Sequence, residues 1–428
     1  MTFKERFCPS PWMHMRINNS GHYEYCRWAV KADRNNEPNI QQQSPLYYFQ
    51  FHMAPVREAM LKGQTLPGCS ECYLQEQHGK VNGRQRQLLK TGVRLNDFEN
   101  TMLSSPWIDE FVNSERHEGA TIQTPQDWQI DLGNYCNSSC IFCTPDSSSR
   151  LATEYRRIGL IDETPRANWC EDPDKLSTLI DALLQSKIKY LHFIGGETLI
   201  TPAFKKILLT LVKENLHKTI TIGFTTNLTV WDQDIVDLLV QFEQVNLGMS
   251  VECLHPLNDY VRYGSDIDTV KNTMEQWITV AEQNQWVVQL RITPTIFSIW
   301  HLDTIYQYAY DRNISVESCN FLNEPDYMRP SVLPNNMRVQ AIAKLNAWLS
   351  NYTVVDSEQI VNTRNPAFAQ QQLLQDARSY VNYLETQPDE SFRLPTLVDY
   401  LKLIEYSRKN SILDYLPEYE NILRSAGY

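Results

Sequence analysis

Six short apolar segments alternate with helical stretches along the middle of the chain, and this alternation constrains the fold more than any other feature. The predicted strands are 128–132, 190–194, 220–225, 245–251, 287–294 and 315–322. The predicted helices are 174–185, 203–214, 231–242, 267–284, 302–311 and, after the last strand, 337–350. Strand–helix alternation implies parallel strands joined by right-handed crossovers. The sequence therefore predicts an α/β fold, either a partial barrel of six βα units or a doubly wound open sheet.

The two ends of the chain differ from this middle part. Residues 1–95 have little periodicity but are rich in Cys, Trp, Tyr and turn residues, which is typical of a small metal-stapled domain. Residues 341–428 are helix-like, with apolar side chains at helical spacing near their centre. We therefore predict three domains, at 1–95, 96–340 and 341–428.

Composition excludes some classes of function. The 428 residues carry a formal net charge of −12, which argues against a general nucleic-acid binder. There is no apolar run of the ~18 residues that a membrane-spanning helix needs, and the first residues lack the apolar segment of a signal peptide. We expect no membrane association and a cytoplasmic location, where patterned cysteines bind metal more often than they form disulfides.

Three cysteines follow the first predicted strand at the spacing Cys136-x3-Cys140-x2-Cys143. In either candidate fold the carboxyl ends of the strands carry the functional site, so this loop lies at that edge. Three thiolates can hold three irons of a [4Fe–4S] cluster, whereas a structural cluster uses four cysteines. The fourth iron is then open to a substrate or cofactor, as in catalytic metal sites.

A second motif, Gly195-Gly196-Glu197, follows the second predicted strand. Glycines at a strand end let the backbone approach a ligand closely. The carboxylate that follows them can pair with an ammonium group. The position at the end of the next strand after the cysteine loop places both motifs at the same edge of the predicted fold.

Together with Phe142 before the last cysteine, these two motifs resemble the radical S-adenosylmethionine (SAM) superfamily. The resemblance implies a partial (β/α)6 barrel and a [4Fe–4S] cluster on Cys136, Cys140 and Cys143. It implies that SAM binds the open iron and that the Gly-Gly-Glu segment holds the methionine amino group. It also implies reductive cleavage of SAM to a 5′-deoxyadenosyl radical, which abstracts a hydrogen atom from a substrate.

Four more residues match the family less specifically. Asn227 follows the third strand, Ser250 and Glu252 end the fourth, and Arg262 lies shortly downstream. The resemblance implies that Ser250 and Glu252 contact the SAM ribose and that the Arg262 guanidinium meets the methionine carboxylate, for which its planar fork is suited. A helix cap or a surface ion pair is the alternative for each. Many peptide-modifying members have Ser-x-Asp-Gly where this chain has Ser250-Val-Glu252-Cys253, which weakens the ribose assignment.

A second set of cysteines, Cys8, Cys26, Cys69 and Cys72, lies upstream. A predicted β-hairpin with its turn at 18–21 brings the first two together, and the other two form a C-x2-C pair. Four thiols can close a site for zinc or for an iron–sulfur cluster. The segment resembles the twitch auxiliary-cluster domains of radical SAM proteins, at the N-terminus here. This implies an auxiliary [4Fe–4S] cluster that relays electrons or steadies the fold.

Other polar and sulfur-containing residues are predicted to have structural roles. This prediction applies to His14, His22 and His78, which lie near the second cysteine set in the sequence. The basic run 84–86 faces either acidic groups or solvent, and we favour solvent. The remaining cysteines are predicted to be small buried side chains, namely Cys170, Cys253 and Cys319.

Three functions remain in competition. The leading one is a radical SAM oxidoreductase or transferase that acts on a peptide or a small biosynthetic intermediate and takes electrons from a reductant such as flavodoxin or ferredoxin. The acidic charge would suit a basic peptide. A non-catalytic iron–sulfur electron carrier is the second, and the Gly-Gly-Glu motif speaks against it. A radical SAM enzyme acting on a nucleoside or tRNA is the third, and the charge of −12 speaks against it.

Overall fold

The computed structural model describes residues 3–27, 29, 38–77, 82–165, 168–317, 321–354 and 369–428. Its strands are β1 (His14–Ile17), β2 (Tyr23–Glu24), β3 (Asp127–Asp131), β4 (Ser139–Cys140), β5 (Tyr190–Ile194), β6 (Thr221–Thr226), β7 (Gln244–Ser250), β8 (Arg262–Tyr263), β9 (Val287–Arg291) and β10 (Ser315–Glu317). The six strands predicted from the sequence are present as β3, β5, β6, β7, β9 and β10. The predicted strand 287–294 ends earlier, at Arg291, and Pro294 further on has no N–H to extend a ladder.

The α-helices are α1 (Phe3–Arg6), α2 (Ser10–Met13), α3 (Pro45–Tyr47), α4 (Ala54–Leu61), α5 (Ser70–Gln77), α6 (Gly83–Lys90), α7 (Phe98–Leu103), α8 (Ile108–Arg116), α9 (Ser149–Arg157), α10 (Pro173–Leu184), α11 (Pro202–Lys213), α12 (Gln233–Leu239), α13 (Leu257–Val261), α14 (Ile267–Asn284), α15 (Leu302–Asp311), α16 (Asn335–Leu349), α17 (Ala369–Thr386), α18 (Leu394–Arg408) and α19 (Glu420–Ser425). Local sequence explains several of their ends. Helix α10 begins with Pro173, and the Asp172 side chain before it accepts from the backbone N–H of Asp174. Helix α14 is capped by Asp266 in the same way.

The chain divides into two compact units whose segments alternate along the sequence. Unit 1 consists of Met1–Gly133, Arg166–Phe224 and Gln233–Val245, and unit 2 consists of Asn134–Pro165, Thr225–Asp232 and Asn246–Tyr428. The predicted domain boundaries at 1–95, 96–340 and 341–428 follow composition rather than contacts, and they stay a prediction.

In unit 1 the strand order is β6-β5-β3-β1-β2. Strands β6, β5, β3 and β1 are parallel, and β2 pairs with β1 as the predicted antiparallel hairpin. The sequence did not predict that β1 joins the parallel sheet beside β3, with His14 opposite Asp127. Burial explains it, because Met15 and Ile17 are fully buried and His14 is buried as well. A strand buried on both faces requires neighbours on both sides to satisfy its backbone.

In unit 2 the strand order is β10-β9-β7, all parallel, and β4 and β8 form a separate antiparallel pair. The helices near the C-terminus pack into this unit. The rings of Phe321 and Tyr383 stack with their centroids 3.7 Å apart, and Tyr306 of α15 donates to Asp376 of α17 at 2.7 Å. The predicted fold class, α/β with mostly parallel strands, is confirmed. In the described part of the chain, no helix has the length and apolar character needed to cross a bilayer.

Candidate active site

The three-cysteine loop is anchored at its centre by a short β-ladder. Strand β4 pairs antiparallel with β8, so Cys140 lies opposite Arg262. The backbone N–H of Ile141 then donates to the Val261 carbonyl at 2.9 Å. A loop whose middle residue belongs to a ladder holds its thiol in a fixed direction, which is the first requirement for a preorganised metal ligand.

Asn227, predicted from the end of the third strand, contacts this loop directly. Its amide nitrogen donates to the Asn137 side-chain oxygen at 2.8 Å and lies 3.1 Å from the Ser138 hydroxyl. Asn137 in turn donates to Thr229 at 2.8 Å. Asn227 is 6% exposed, so these hydrogen bonds are shielded from water and contribute more than surface ones. Asn227 therefore orders the segment between Cys136 and Cys140.

The start of α9 secures the other side of the loop. The Ser148 side chain caps α9 by accepting from the Leu151 N–H at 3.1 Å, and its hydroxyl donates to the Ser138 carbonyl at 2.6 Å. The next hydroxyl, that of Ser149, accepts from the Cys136 N–H at 3.2 Å. Sequence analysis did not single out these serines, although a serine pair just before a helix is a recognisable capping signal.

Cys140 is buried, Cys136 and Cys143 are partly buried, and the three thiols are close to one another. Burial raises the pKa of Cys140, against the effect of the Arg262 guanidinium. Burial, together with the neighbouring Cys140 and Cys136, raises the pKa of Cys143 to about 12. Three thiolates crowded together are unfavourable by themselves and become favourable when they share a metal. The soft sulfur donors of this loop therefore suit an iron–sulfur cluster.

Arg262 and Glu252, predicted as separate contacts to a ligand, form one buried ion pair. Arg262 Nη1 lies 2.8 Å from Glu252 Oε1, and Glu252 Oε2 accepts from the Thr293 N–H at 2.7 Å. Burial raises the pKa of Glu252, whereas Arg262 opposes this. The guanidinium carbon also lies 5.8 Å from the centre of the Phe142 ring, within cation–π range. Phe142, Arg262 and Glu252 thus form a connected group beside Cys140.

Ser250 is the last residue of β7 and lies opposite Arg291 of β9. It is partly buried. Glu252 follows it two residues later in the sequence.

The Gly195-Gly196-Glu197 segment lies in unit 1, directly after β5. Both glycines have positive φ, 96° and 52°. A Cβ on Gly195 would lie 2.7 Å from the Gly133 carbonyl oxygen, so a side chain there would force the backbone apart. Glu197 is 1% exposed, and its Oε1 accepts from the Leu199 N–H at 3.1 Å. The glycines therefore let the chain turn at the strand end and leave a buried carboxylate there.

The four upstream cysteines lie together in unit 1. Cys8 precedes α2, Cys26 follows β2, and Cys69 and Cys72 lie at the start of α5. All four line a single cavity. Burial raises the pKa of each thiol whose shift is resolved, and it raises that of Cys69 to about 12. Cys26 raises the pKa of the three other thiols, so the four groups are mutually close.

Tyr25 and Arg84 complete this cavity. Tyr25 makes a side-chain hydrogen bond to Cys69, and a Cβ on Gly68 would lie 2.1 Å from the Tyr25 hydroxyl oxygen. Arg84 is 4% exposed, donates to the Phe7 carbonyl at 3.0 Å and pairs with Glu76. The prediction that Arg84 faces solvent is therefore wrong. A guanidinium has five donors, and here the surrounding carbonyl and carboxylate groups accept enough of them to bury it.

The described residues contain no group of three or more His, Cys, Asp or Glu side chains converging on a point where one metal ion would sit. This finding applies to both cysteine sets. Zinc and an iron–sulfur cluster therefore remain the two alternatives for the four upstream thiols, which line one cavity.

Of the histidines near this set, His14 and His22 are described, and neither lines the cavity. His14 is fully buried between β1 and β3, with Nδ1 3.3 Å from Asp127. Burial lowers the pKa of His14 to about 4, although Asp127 raises it. His22 lies in the hairpin turn and forms a β-bridge with Asn39. His78 and Cys319 lie outside the described residues, and Cys170 and Cys253 are buried as predicted.

Residues 130–280 match the family model described as Radical SAM superfamily. This range contains the three-cysteine loop, the Gly-Gly-Glu segment, Asn227 and the Glu252–Arg262 pair. These residues therefore form a radical SAM domain, and members of that superfamily are enzymes. A comparison with curated proteins gives no match.

Several solved structures resemble the chain at low similarity. Streptococcus suis SuiB is 13% identical over 71% of this chain and 60% of its own, with a TM-score of 0.33. The protein anSMEcpe with bound AdoMet is 16% identical over 52% of this chain and 60% of its own, with a TM-score of 0.38. TYW1 with a lysine-pyruvate adduct bound is 13% identical over 54% of this chain and 76% of its own, with a TM-score of 0.28. The chain thus spans 60% of the length of the first two proteins.

Proposed function

We propose that this chain, which carries a radical SAM domain at residues 130–280, cleaves S-adenosylmethionine reductively at a [4Fe–4S] cluster on Cys136, Cys140 and Cys143. The observation that carries the proposal is the loop itself. Its three thiols come from eight consecutive residues, and Cys136 and Cys140 are close enough to raise the pKa of Cys143. The loop is fixed by β4, Asn227 and the start of α9. When bound, the cluster would supply one electron to the sulfonium, giving methionine and a 5′-deoxyadenosyl radical.

We propose from the family resemblance that the following residues bind and orient SAM. Glu197 offers a buried carboxylate for the methionine ammonium group, where water does not weaken the interaction. Arg262 offers a cation for the methionine carboxylate, and Glu252 positions that cation because it already pairs with it. Ser250 and Phe142 would line the site beside the nucleoside. The radical then takes a hydrogen atom from the substrate and becomes 5′-deoxyadenosine.

Iron and sulfide content after anaerobic reconstitution tests the assignment. We expect about eight irons per chain, falling to about four when Cys136, Cys140 and Cys143 are all changed to Ala, given four irons per cubane. The matched control is Cys170→Ala, which removes a buried thiol elsewhere and should leave the iron count unchanged. Equal iron in the triple variant and the native chain would contradict the proposal.

We also propose an auxiliary [4Fe–4S] cluster on Cys8, Cys26, Cys69 and Cys72, in a twitch-like N-terminal domain. Four cysteines line one cavity, and the resemblance to twitch domains favours a cluster over zinc there. With all four irons ligated by protein, this cluster would pass electrons or steady the fold rather than bind SAM. If metal analysis instead finds one zinc and about four irons per chain, the auxiliary cluster is excluded while the radical SAM proposal stands.

For the substrate we propose a peptide or a small biosynthetic intermediate. The net charge of −12 favours a basic peptide through electrostatic steering. The electron would come from a small carrier such as flavodoxin or ferredoxin in the cytoplasm, where thiols stay reduced. Substrate-dependent formation of 5′-deoxyadenosine, measured with basic and acidic peptide pools of equal length, checks the preference. Equal stimulation by both pools would contradict it.

A further inference from the structure

Helix α18 brings a buried arginine to the three-cysteine loop from a part of the chain outside the matched domain. Arg408 Nη2 donates to the Ser139 carbonyl at 2.7 Å, one residue before Cys140. The Arg408 side chain is 0% exposed. On the same helix, the Tyr400 hydroxyl lies 3.3 Å from the Ile141 carbonyl. Helix α18 therefore contacts the loop on both sides of Cys140.

The partner of Arg408 is Glu154 on α9, the helix whose start binds Cys136. Arg408 Nε lies 3.0 Å from Glu154 Oε1, and Nη2 lies 2.8 Å from Oε2, a two-point pairing. Ser407 also donates to Glu154 at 2.9 Å. The Glu154 side chain is 6% exposed, so the pair is removed from water at both ends. Breaking such a pair leaves an uncompensated buried charge.

One nitrogen of the Arg408 guanidinium takes no part in these hydrogen bonds. Arg408 Nη1 is buried without a hydrogen-bond partner among the described residues. The guanidinium carbon lies 4.4 Å from the centre of the Tyr263 ring, and Tyr263 pairs with Ser139 across the β-ladder. An unpaired buried donor is unfavourable for stability, so this nitrogen adds positive charge beside the loop without adding a hydrogen bond. The charge lies beside the loop, because the same guanidinium donates to the Ser139 carbonyl next to Cys140.

We infer that the buried Arg408–Glu154 pair sets the reduction potential of the cluster on Cys136, Cys140 and Cys143, and that Arg408 is a positioning residue for the loop. This inference rests on the proposed function. Reduction adds one negative charge, which the guanidinium stabilises through a medium of low dielectric constant. Net charge and hydrogen bonding around the cluster set its potential. Glu154 limits the effect because it neutralises part of the guanidinium charge.

Two variants should shift the potential in opposite directions. Arg408→Met removes the cation and should make the potential more negative. Glu154→Gln leaves the Arg408 charge uncompensated and should make the potential more positive. Arg408→Lys keeps the charge but loses the two-point pairing, so its potential should lie between those of the native chain and Arg408→Met. A purely structural pair would lower iron content or thermal stability in these variants without opposite shifts.

The measurement is an anaerobic redox titration of the full chain, followed by EPR of the signal that changes on addition of SAM. That response identifies the cluster at the three-cysteine loop. The matched control is Arg157→Met, because Arg157 also lies near Glu154, at 3.9 Å, but its side chain is 66% exposed. Screening should leave its potential unchanged.

The possible outcomes distinguish a failure of this inference from a failure of the proposed function. Opposite shifts with an unchanged control support the inference. Unchanged potentials, or shifts of the same sign, in Arg408→Met and Glu154→Gln overturn it while leaving the radical SAM proposal intact. If Arg408→Met holds no iron, Arg408→Lys and Glu154→Gln carry the same test. The absence of any SAM-responsive signal in the native chain overturns both.

Discussion

The two cysteine sites of this chain are built in opposite ways. In unit 2, the three thiols come from one loop between Cys136 and Cys143, and β8, α9 and α18 hold that loop from outside. In unit 1, the four thiols come from three separate segments that meet around one cavity. A short loop gives a ligand set that leaves one iron open, whereas separate segments can surround a cluster completely. This difference agrees with the roles proposed above, a reactive cluster at the three-cysteine loop and a closed cluster at the upstream cysteines.

Loss of one thiol from each site should separate their roles, and this is the largest expected effect. Cys140→Ala should abolish 5′-deoxyadenosine formation with dithionite as reductant, because the open-iron site loses its central ligand. Cys69→Ala should remove the upstream metal, while the SAM-responsive EPR signal remains. Iron content and 5′-deoxyadenosine are measured on both variants. If Cys140→Ala still cleaves SAM, the two roles have been assigned wrongly.

Glu197 should affect the binding of SAM but not the upstream cysteine site. Glu197→Gln keeps the oxygen that accepts from Leu199 but removes the charge. A charge-assisted hydrogen bond contributes about 1.5–3 kcal/mol, so SAM affinity should fall about tenfold to a hundredfold. Equilibrium binding of SAM to the reconstituted protein measures this, with unchanged iron content as the internal check. Glu214→Gln, at the exposed end of α11, is the control. Unchanged affinity would remove Glu197 from the SAM site.

Asn227 should stabilise the three-cysteine loop before any iron is bound. Asn227→Ala removes the hydrogen bonds to Asn137 and Ser138, and the unpaired groups should cost about 1–3 kcal/mol of unfolding free energy. Thermal unfolding of the metal-free chain and the rate of iron uptake measure the effect. The matched control, Asn284→Ala, removes an exposed amide that binds only the Val280 carbonyl. A loss of the same size in both variants would argue against a specific role.

The smallest effect is expected at the four upstream cysteines. Tyr25→Phe removes the hydrogen bond to Cys69 and should make the potential of the upstream cluster more negative, since hydrogen bonds to cluster sulfurs raise it. Stability should change by about 1 kcal/mol or less. Tyr23→Phe is the control, because its hydroxyl donates to the Gln43 carbonyl at 2.6 Å instead of to sulfur. An EPR-monitored titration that shows equal shifts in both variants would contradict the assignment.

The strands and helices were predictable because the apolar periodicity of each segment is local. Helices α14 and α15 have the predicted bounds, Ile267–Asn284 and Leu302–Asp311, and β5 has the predicted bounds Tyr190–Ile194. The position of β1 within the sheet was not predictable from the sequence. Its four residues show an alternation typical of any strand, and nothing local specifies that β3, more than a hundred residues later, is the neighbour.

The sequence alone determined the chemistry that we propose, because cysteines at short spacing need only a local turn of the chain to bring their thiols together. Only the tertiary structure decided which distant groups act on those thiols. Arg84 was expected in solvent and lies buried beside the upstream cysteines. Arg408 and Glu154 carry no motif, yet they meet behind Cys140. A motif records neighbours along the chain, whereas the electrostatic environment of a cluster depends on residues that folding brings within a few ångströms.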